Sequence, residues 1–467
     1  MAKVFQINDE YISSIENPST SGTSINSNKD LGMSLDMEKE LHEINADKRQ
    51  NQFKSLILGG PILFSWKKLI LYAFGIMFAG FSATIPFSMI PASDLVLSPQ
   101  KWYEILFPGL VVTAIGTTNQ IFTLGSCLNI QYPRSNRVIA SVNLGKAVYA
   151  LLVLVTTYYV WTQILSYNYP IPYLGFYFTL SFYIIDLIII WFIIPADWRQ
   201  NKTFKKRYGF YFFYCIFHVL MANVYGFVVT RIKKSPDQFQ PINALMLPVL
   251  RELFERIGVK IIRKSTAGDA EGAEIFLKYA IATRHTVTLC TILGTIATTA
   301  TSLVLIAVDF TLNIYCCLRI VWIRKRHPNR MENQIDYLKD LAVYELVEFH
   351  APLAFFLVFT VAYYGPNGTL FGNILNDYWT FCAVDDITHT MTNLALFFAV
   401  DFLSTLICSL LLWFFCEVRL WQSFLILQDE FCKEFCIILG FYLMVKLNNT
   451  LISWGNDRTG EFAWIET

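Results

Sequence analysis

Long, nearly unbroken apolar stretches alternate with short polar segments through most of this chain. A helix needs about 20 apolar residues to cross a bilayer core about 30 Å thick. Helices are the expected element, because hydrocarbon offers no partner for backbone N–H and C=O groups and a helix pairs them internally. The pattern predicts spans over Leu69–Ile90, Ile105–Leu128, Ile139–Ile164, Tyr173–Ile194 and Phe210–Thr230. It resumes near Thr286, then continues over Leu341–Tyr364, Thr392–Phe415 and Phe435–Ile452, with Lys446, Asn448 and Asn449 weakening the last. The expected fold class is all-α, a polytopic membrane helix bundle with eight or nine transmembrane helices.

One run is too long. Thr286–Ile323 as a single helix would measure roughly 60 Å, twice the hydrocarbon thickness. The Thr-rich segment Gly294–Ser302 is the expected break, since hydroxyls that bond back to helix carbonyls bend the axis.

The polar pattern sets the remaining boundaries. Residues 1–60 are Ser/Asn-rich, without an apolar run before Leu56, and read as a disordered cytoplasmic tail with a short charged helix near Met37–Gln52. They do not read as a cleaved signal peptide. Residues 61–232 hold helices one to five, 233–284 an amphipathic and loop region, 285–455 helices six to nine, and 456–467 a C-terminal tail. In the third segment Leu250, Leu253, Phe254, Ile257 and Ile261 repeat at helical spacing, with Arg251, Glu252, Glu255, Arg256, Lys260 and Arg263 on the other face. This suits a helix lying on a membrane surface or packed against the bundle.

Charge placement orients the spans. The segments Asp197–Gly209 and Arg324–Arg330 are rich in Lys and Arg, whereas Ser166–Pro172 and Gly365–Asn393 have none. Basic short loops stay in the cytoplasm, which puts the amino terminus there too. Asn367-Gly368-Thr369 then lies outside as a glycosylation acceptor at Asn367. Strict alternation places Arg231–Arg284 outside, although it carries ten Lys and Arg.

Composition agrees. Only 16% of the 467 residues are charged and 54% are hydrophobic, against about 25% charged in soluble domains. Net charge is +1, and no basic tract interleaves with aromatics, so nucleic acid is not an expected partner. The expected partners are the lipid bilayer and a small solute or ion, with a homo-oligomer compatible with the pattern. The plasma membrane is the default address. Of the ten cysteines only Cys382 falls in an outer loop, so no essential disulfide is expected. Cys316-Cys317 and the Cys432/Cys436 pair read as small buried residues rather than ligands.

The candidate chemistry lies inside the apolar runs. Asp186, Asp309 and Asp401 each precede a Trp by about a dozen residues, with an Arg behind it. That places each carboxylate about 18 Å from the cytoplasmic end of its helix. A carboxylate costs at least about 2.5–3.5 kcal/mol in hydrocarbon, so it faces a protein interior or a wet cavity. Lys146, His218 and Arg319 are the candidate partners among the spans, and Asn119 sits in the unusually polar stretch Gly116–Gln120. Glu345, Glu348 and His350 read as a solvated helix start, and Asp385, Asp386 and His389 as a polar helix cap. No nucleotide-binding loop, nucleophile motif or metal-ligand spacing occurs, so neither an enzyme nor a cofactor or metal is expected. The expected function is a multi-pass membrane transporter or channel, with a pathway lined by Asp186, Asp309, Asp401, Lys146, His218 and Asn119 and coupled to protons or cations. The alternative is a chemosensory or signalling receptor that binds a small ligand within the bundle.

Overall fold

The computed structural model describes residues 47–57, 65–82, 196–266, 270–295, 299–327, 331–364 and 387–457, with scattered positions between 144 and 194. Among the described residues every regular element is a helix and no strand occurs. In chain order they are α1 (residues 47–57), α2 (Trp66–Ser82), α3 (Ala196–Gln200), α4 (Lys202–Lys234), α5 (Gln240–Ala244) and α6 (Met246–Ser265). There follow α7 (Ala270–Thr295), α8 (Thr299–Arg326), α9 (Met331–Tyr364), α10 (Ile387–Cys416) and α11 (Leu420–Asp457). The predicted spans at 105–128 and 139–164, most of 173–194, and the acceptor Asn367 lie outside the described residues.

Among the described residues, three segments are long and apolar enough to cross a membrane: Ala300–Arg326, Gln334–Val361 and Met391–Cys416. They belong to α8, α9 and α10. The α9 segment is 72% buried and the other two 39% each, which makes α9 an interior helix and leaves α8 and α10 with outer faces. Those faces carry Leu303, Leu312, Leu318 and Trp322 on α8, and Phe402, Leu406, Leu410 and Phe414 on α10. So much exposed apolar surface suits acyl chains rather than water.

Contacts between helices fix their directions. Phe217 meets Phe254, and Lys264 lies over Phe210, so α4 and α6 are antiparallel. Arg263 pairs with Glu274 and Lys278 with Glu255, so α6 and α7 are antiparallel. Lys339 meets Glu271 and Tyr279 meets His350, so α7 and α9 run parallel. Asn313 bonds Glu348 and Arg324 bonds Gln334, so α8 opposes α9. Glu345 receives Thr405 while Phe349 meets Phe398, so α10 also opposes α9. Tyr279 stacks on Phe435 and Arg284 sits over Tyr442, so α11 parallels α7. Helices α4, α6, α7, α8, α9, α10 and α11 thus alternate up and down.

One end of this bundle is closed by α1. Arg49 pairs with Glu271 and Glu430, Phe53 lies beneath Lys339, and the Ile57 carbonyl accepts from Arg324. Residues 47–57, which fall inside the expected tail, are helical and bury Arg49, Phe53, Leu56 and Ile57. A charged segment orders here because α7 and α11 supply counter-ions to Arg49 and α8 and α9 add a hydrogen bond and a cation–ring contact.

Two expectations about the middle of the chain change. The apolar run from Thr286 does break where the Thr-rich segment lies, with α7 ending at Thr295 and α8 starting at Thr299. However, α7 begins at Ala270, so the span is a helix of its own and not half of another. Its start, and Arg263 beside it, sit at the α1 end. Strict alternation had put residues 231–284 on the opposite side. Helices α6 and α7 are an antiparallel pair that this alternation did not count.

The second change concerns α6, which is rotated relative to its pattern. Arg251 and Glu255 face the bundle, while Val249, Leu253 and Ile257 point outward. Phe254, Gly258 and Ile262 hold the inner face against α4 and α7, and Glu252, Arg256, Lys260 and Arg263 remain exposed. The two inward charges are those that meet counter-ions on neighbouring helices.

Candidate functional site

Three helices place carboxylates at one depth. Asp309 stands on α8, Glu345 and Glu348 one turn apart on α9, and Asp401 on α10. All four are buried. Small side chains bring α8 and α10 together below them: the Cys317 thiol donates to the Cys408 carbonyl at 3.6 Å, and Cys408 to the Asn313 carbonyl at 3.7 Å. One oxygen each from Asp309, Glu348 and Asp401 lies within 4.8 Å of the others. No disulfide forms among the described residues.

Partners are few among the described residues. Asn313 Nδ2 donates to Glu348 Oε2, and the Thr405 hydroxyl donates to Glu345 Oε2. No hydrogen bond from a described residue reaches Glu345 Oε1, Glu348 Oε1 or either carboxylate oxygen of Asp401. Pro352 sits one turn after Glu348 in α9. It has no N–H, so the Glu348 carbonyl loses its usual helical donor and the helix is weakened at the site.

Among the described residues the cation is Arg251, carried in by α6. Its Nη1 lies 3.7 Å from Asp309 Oδ1 and 3.7 Å from Glu348 Oε1. Its guanidinium lies over the Tyr344 ring, 4.1 Å from the centroid.

From there polar groups continue along α9 toward the α1 end. The Tyr344 hydroxyl donates to Glu255, Glu255 lies 3.9 Å from Lys278, and Lys278 Nζ is 2.5 Å from Asp340. Glu348, Tyr344 and Asp340 are four residues apart, one helix face spanning about 12 Å. Asp340 keeps 29% of its side chain exposed, so the file reaches the surface.

The sequence-based candidates fare unevenly. Asp309 and Asp401 do converge. Their cation is Arg251, not His218, which instead lies 3.3 Å from the Tyr442 hydroxyl and edge-on to Tyr214. Asp186, Lys146 and Asn119 lie outside the described residues. Glu345, Glu348 and His350 are no solvated helix start: α9 begins ten residues earlier than the apolar pattern, at Met331, and all three are buried. His350 faces away from the carboxylates, with Tyr279 at 3.3 Å and Gln428 at 3.1 Å.

Glu348 and Arg251 are the members that sequence reasoning missed. A usable signal was the i, i+3 pair Glu345/Glu348, followed by an unbroken apolar run and preceded by good helix formers in MENQIDYLKD. Arg251 gave no comparable signal.

No protein family model, curated protein or solved structure matches this chain. The site must speak through its geometry.

Proposed function

We propose that this chain is a multi-pass membrane transporter or channel whose pathway runs through the Asp309–Glu348–Asp401 cluster, with protons or cations as the coupled species. One observation carries the reading: each of the three candidate membrane spans contributes a carboxylate to a single buried cluster, and Asp401 has no hydrogen-bond donor there. An ion-pair lock between helices would match its charges. Here four carboxylates face one guanidinium, and such an excess of buried charge is stabilising only with a further positive partner. The polar file through Tyr344, Glu255 and Lys278 to Asp340 supplies access from one end.

In this reading eight described helices cross the bilayer: α2, α4, α6, α7, α8, α9, α10 and α11. The end that carries α1 and the basic residues Arg324, Lys325 and Arg326 faces the cytoplasm. Helix α9 ends and α10 begins at the opposite end, so Asn367 is an outer glycosylation acceptor. The plasma membrane is the proposed address.

Flux into proteoliposomes tests the proposal. Asp401→Asn and Glu348→Gln should each abolish flux or its pH dependence. Unchanged flux and pH dependence in both would remove the cluster from the pathway. Ligand-dependent signalling without flux would favour a receptor instead.

A further inference from the structure

We infer that Asp309, Glu348 and Asp401 form a binding site for one hard divalent cation of calcium size, with the Arg251 guanidinium as its tethered competitor. The inference rests on the cluster being the binding site of the bundle, and not on solute passing through it.

Ligand chemistry comes first. Carboxylate oxygens favour hard divalent cations, whereas thiolate and imidazole groups select softer ones. The nearest histidine in sequence, His350, is committed to Tyr279 and Gln428. Hydration narrows the choice. Calcium accepts about six to eight oxygens in flexible geometry, whereas magnesium gives up its water reluctantly and is rarely held by an all-protein cage. Three buried carboxylate oxygens within 4.8 Å of one another can share one such ion, and a site so enclosed suits calcium better than magnesium.

Asp401 supplies the independent observation. Its side chain is buried, both of its oxygens lack donors, and one of them belongs to the trio. In a site evolved only for Arg251, that carboxylate would be left unmatched. A divalent ion gives it a ligand role. Glu345 remains one turn away, held by Thr405, as a further negative charge in range.

Arg251 fits the part of competitor. At 3.7 Å from both Asp309 and Glu348 it is an ion-pair partner, but beyond ordinary hydrogen-bond distance. It therefore supplies charge without fixing the oxygens. Tyr344 offers a ring face along which the guanidinium can withdraw, and Glu255, one turn along the same helix, offers another counter-ion. A divalent ion entering the trio and a guanidinium leaving it exchange positive charge for positive charge.

Isothermal titration of the purified full-length protein in detergent, with calcium chloride and separately magnesium chloride, tests this. One calcium per chain is expected, with weaker magnesium binding. Asp401→Asn should weaken calcium binding at least about tenfold, the scale on which even outer-shell changes act on metal sites. Arg251→Gln should tighten it, and exposed Glu252→Gln should leave it unchanged. Should the Arg251 variant fail to fold, calcium-dependent thermal stabilisation of the wild type, lost in Asp401→Asn, is the second readout. No calcium binding by the wild type, or equal binding in the Asp401 and Glu348→Gln variants, overturns the site. Calcium binding without any flux keeps this site and removes the transport reading. Proton-driven flux without calcium binding does the reverse.

Discussion

Replacing Arg251 with methionine tests the electrostatics of the cluster without leaving a hole. Methionine keeps much of the side-chain length and removes the charge. The guanidinium lies 3.7 Å from Asp309 and 3.7 Å from Glu348. At an effective dielectric constant near 20, each attraction is worth about 4 kcal/mol before desolvation. Stacking on Tyr344 at 4.1 Å adds about 0.5–2 kcal/mol. Desolvation offsets much of this, and breaking a buried pair from one side costs a net of about 3–5 kcal/mol. Total stability is only about 5–15 kcal/mol, so Arg251→Met should lower the unfolding midpoint severely. Thermal and denaturant unfolding of the detergent-solubilised protein reads the loss. Adding Glu348→Gln should then recover part of it, because the second change removes a carboxylate the first left stranded. The expected coupling is about 0.5–3 kcal/mol and opposite in sign to the single losses. A single variant within about 1 kcal/mol of wild type, or strict additivity in the double variant, would refute the assignment of Arg251 as the counter-ion of the cluster.

Three further outcomes follow from particular contacts. Asp401→Asn should leave the unfolding midpoint equal or higher, because an amide relieves repulsion and can donate to its neighbours; a loss above about 1 kcal/mol would mark the carboxylate as structural. A Cβ on Gly258 would meet Leu277 at 3.0 Å and Phe217 at 3.3 Å, so alanine should be mildly destabilising, while Gly258→Leu should detach α6 and expose α7 to proteolysis. Glu417 holds φ at 58° in the turn that caps α10, and Glu417→Gly should be neutral or raise stability by up to about 1 kcal/mol by thermal scan.

Apolar run length made the helical class and the three strongest spans legible, because hydrocarbon thickness sets a length that sequence reports directly. The Thr-rich break before α8 was legible for a similar local reason, since hydroxyls compete for helix carbonyls. Helix α6 was not legible. Its amphipathic pattern is real, but pattern alone does not tell that two charges, Arg251 and Glu255, turn inward to counter-ions on other helices while Leu253 and Ile257 stay outside. Asp309 and Asp401 stood out because a charge within an apolar run is costly. Glu348 was hidden by its position near the edge of such a run, where solvent is the ordinary expectation. Only the helical extension back to Met331 moves it inward.

The arrangement of charge argues for a functional origin of the cluster. A membrane bundle gains nothing in stability from unmatched acids, since apolar residues of equal volume would pack α8, α9 and α10 without the desolvation cost. Small thiols already bring α8 and α10 together at Cys317 and Cys408, so the acids are not needed as glue. The protein nevertheless keeps four carboxylates there and weakens α9 with Pro352 one turn away. It also sends Arg251, the matching cation among the described residues, from a helix whose other inward charge, Glu255, leads through Lys278 of α7 out to Asp340. A static lock would place its counter-ion on a neighbouring span and stop there. A site that exchanges positive charge with one face of the membrane needs both the deficit and the file.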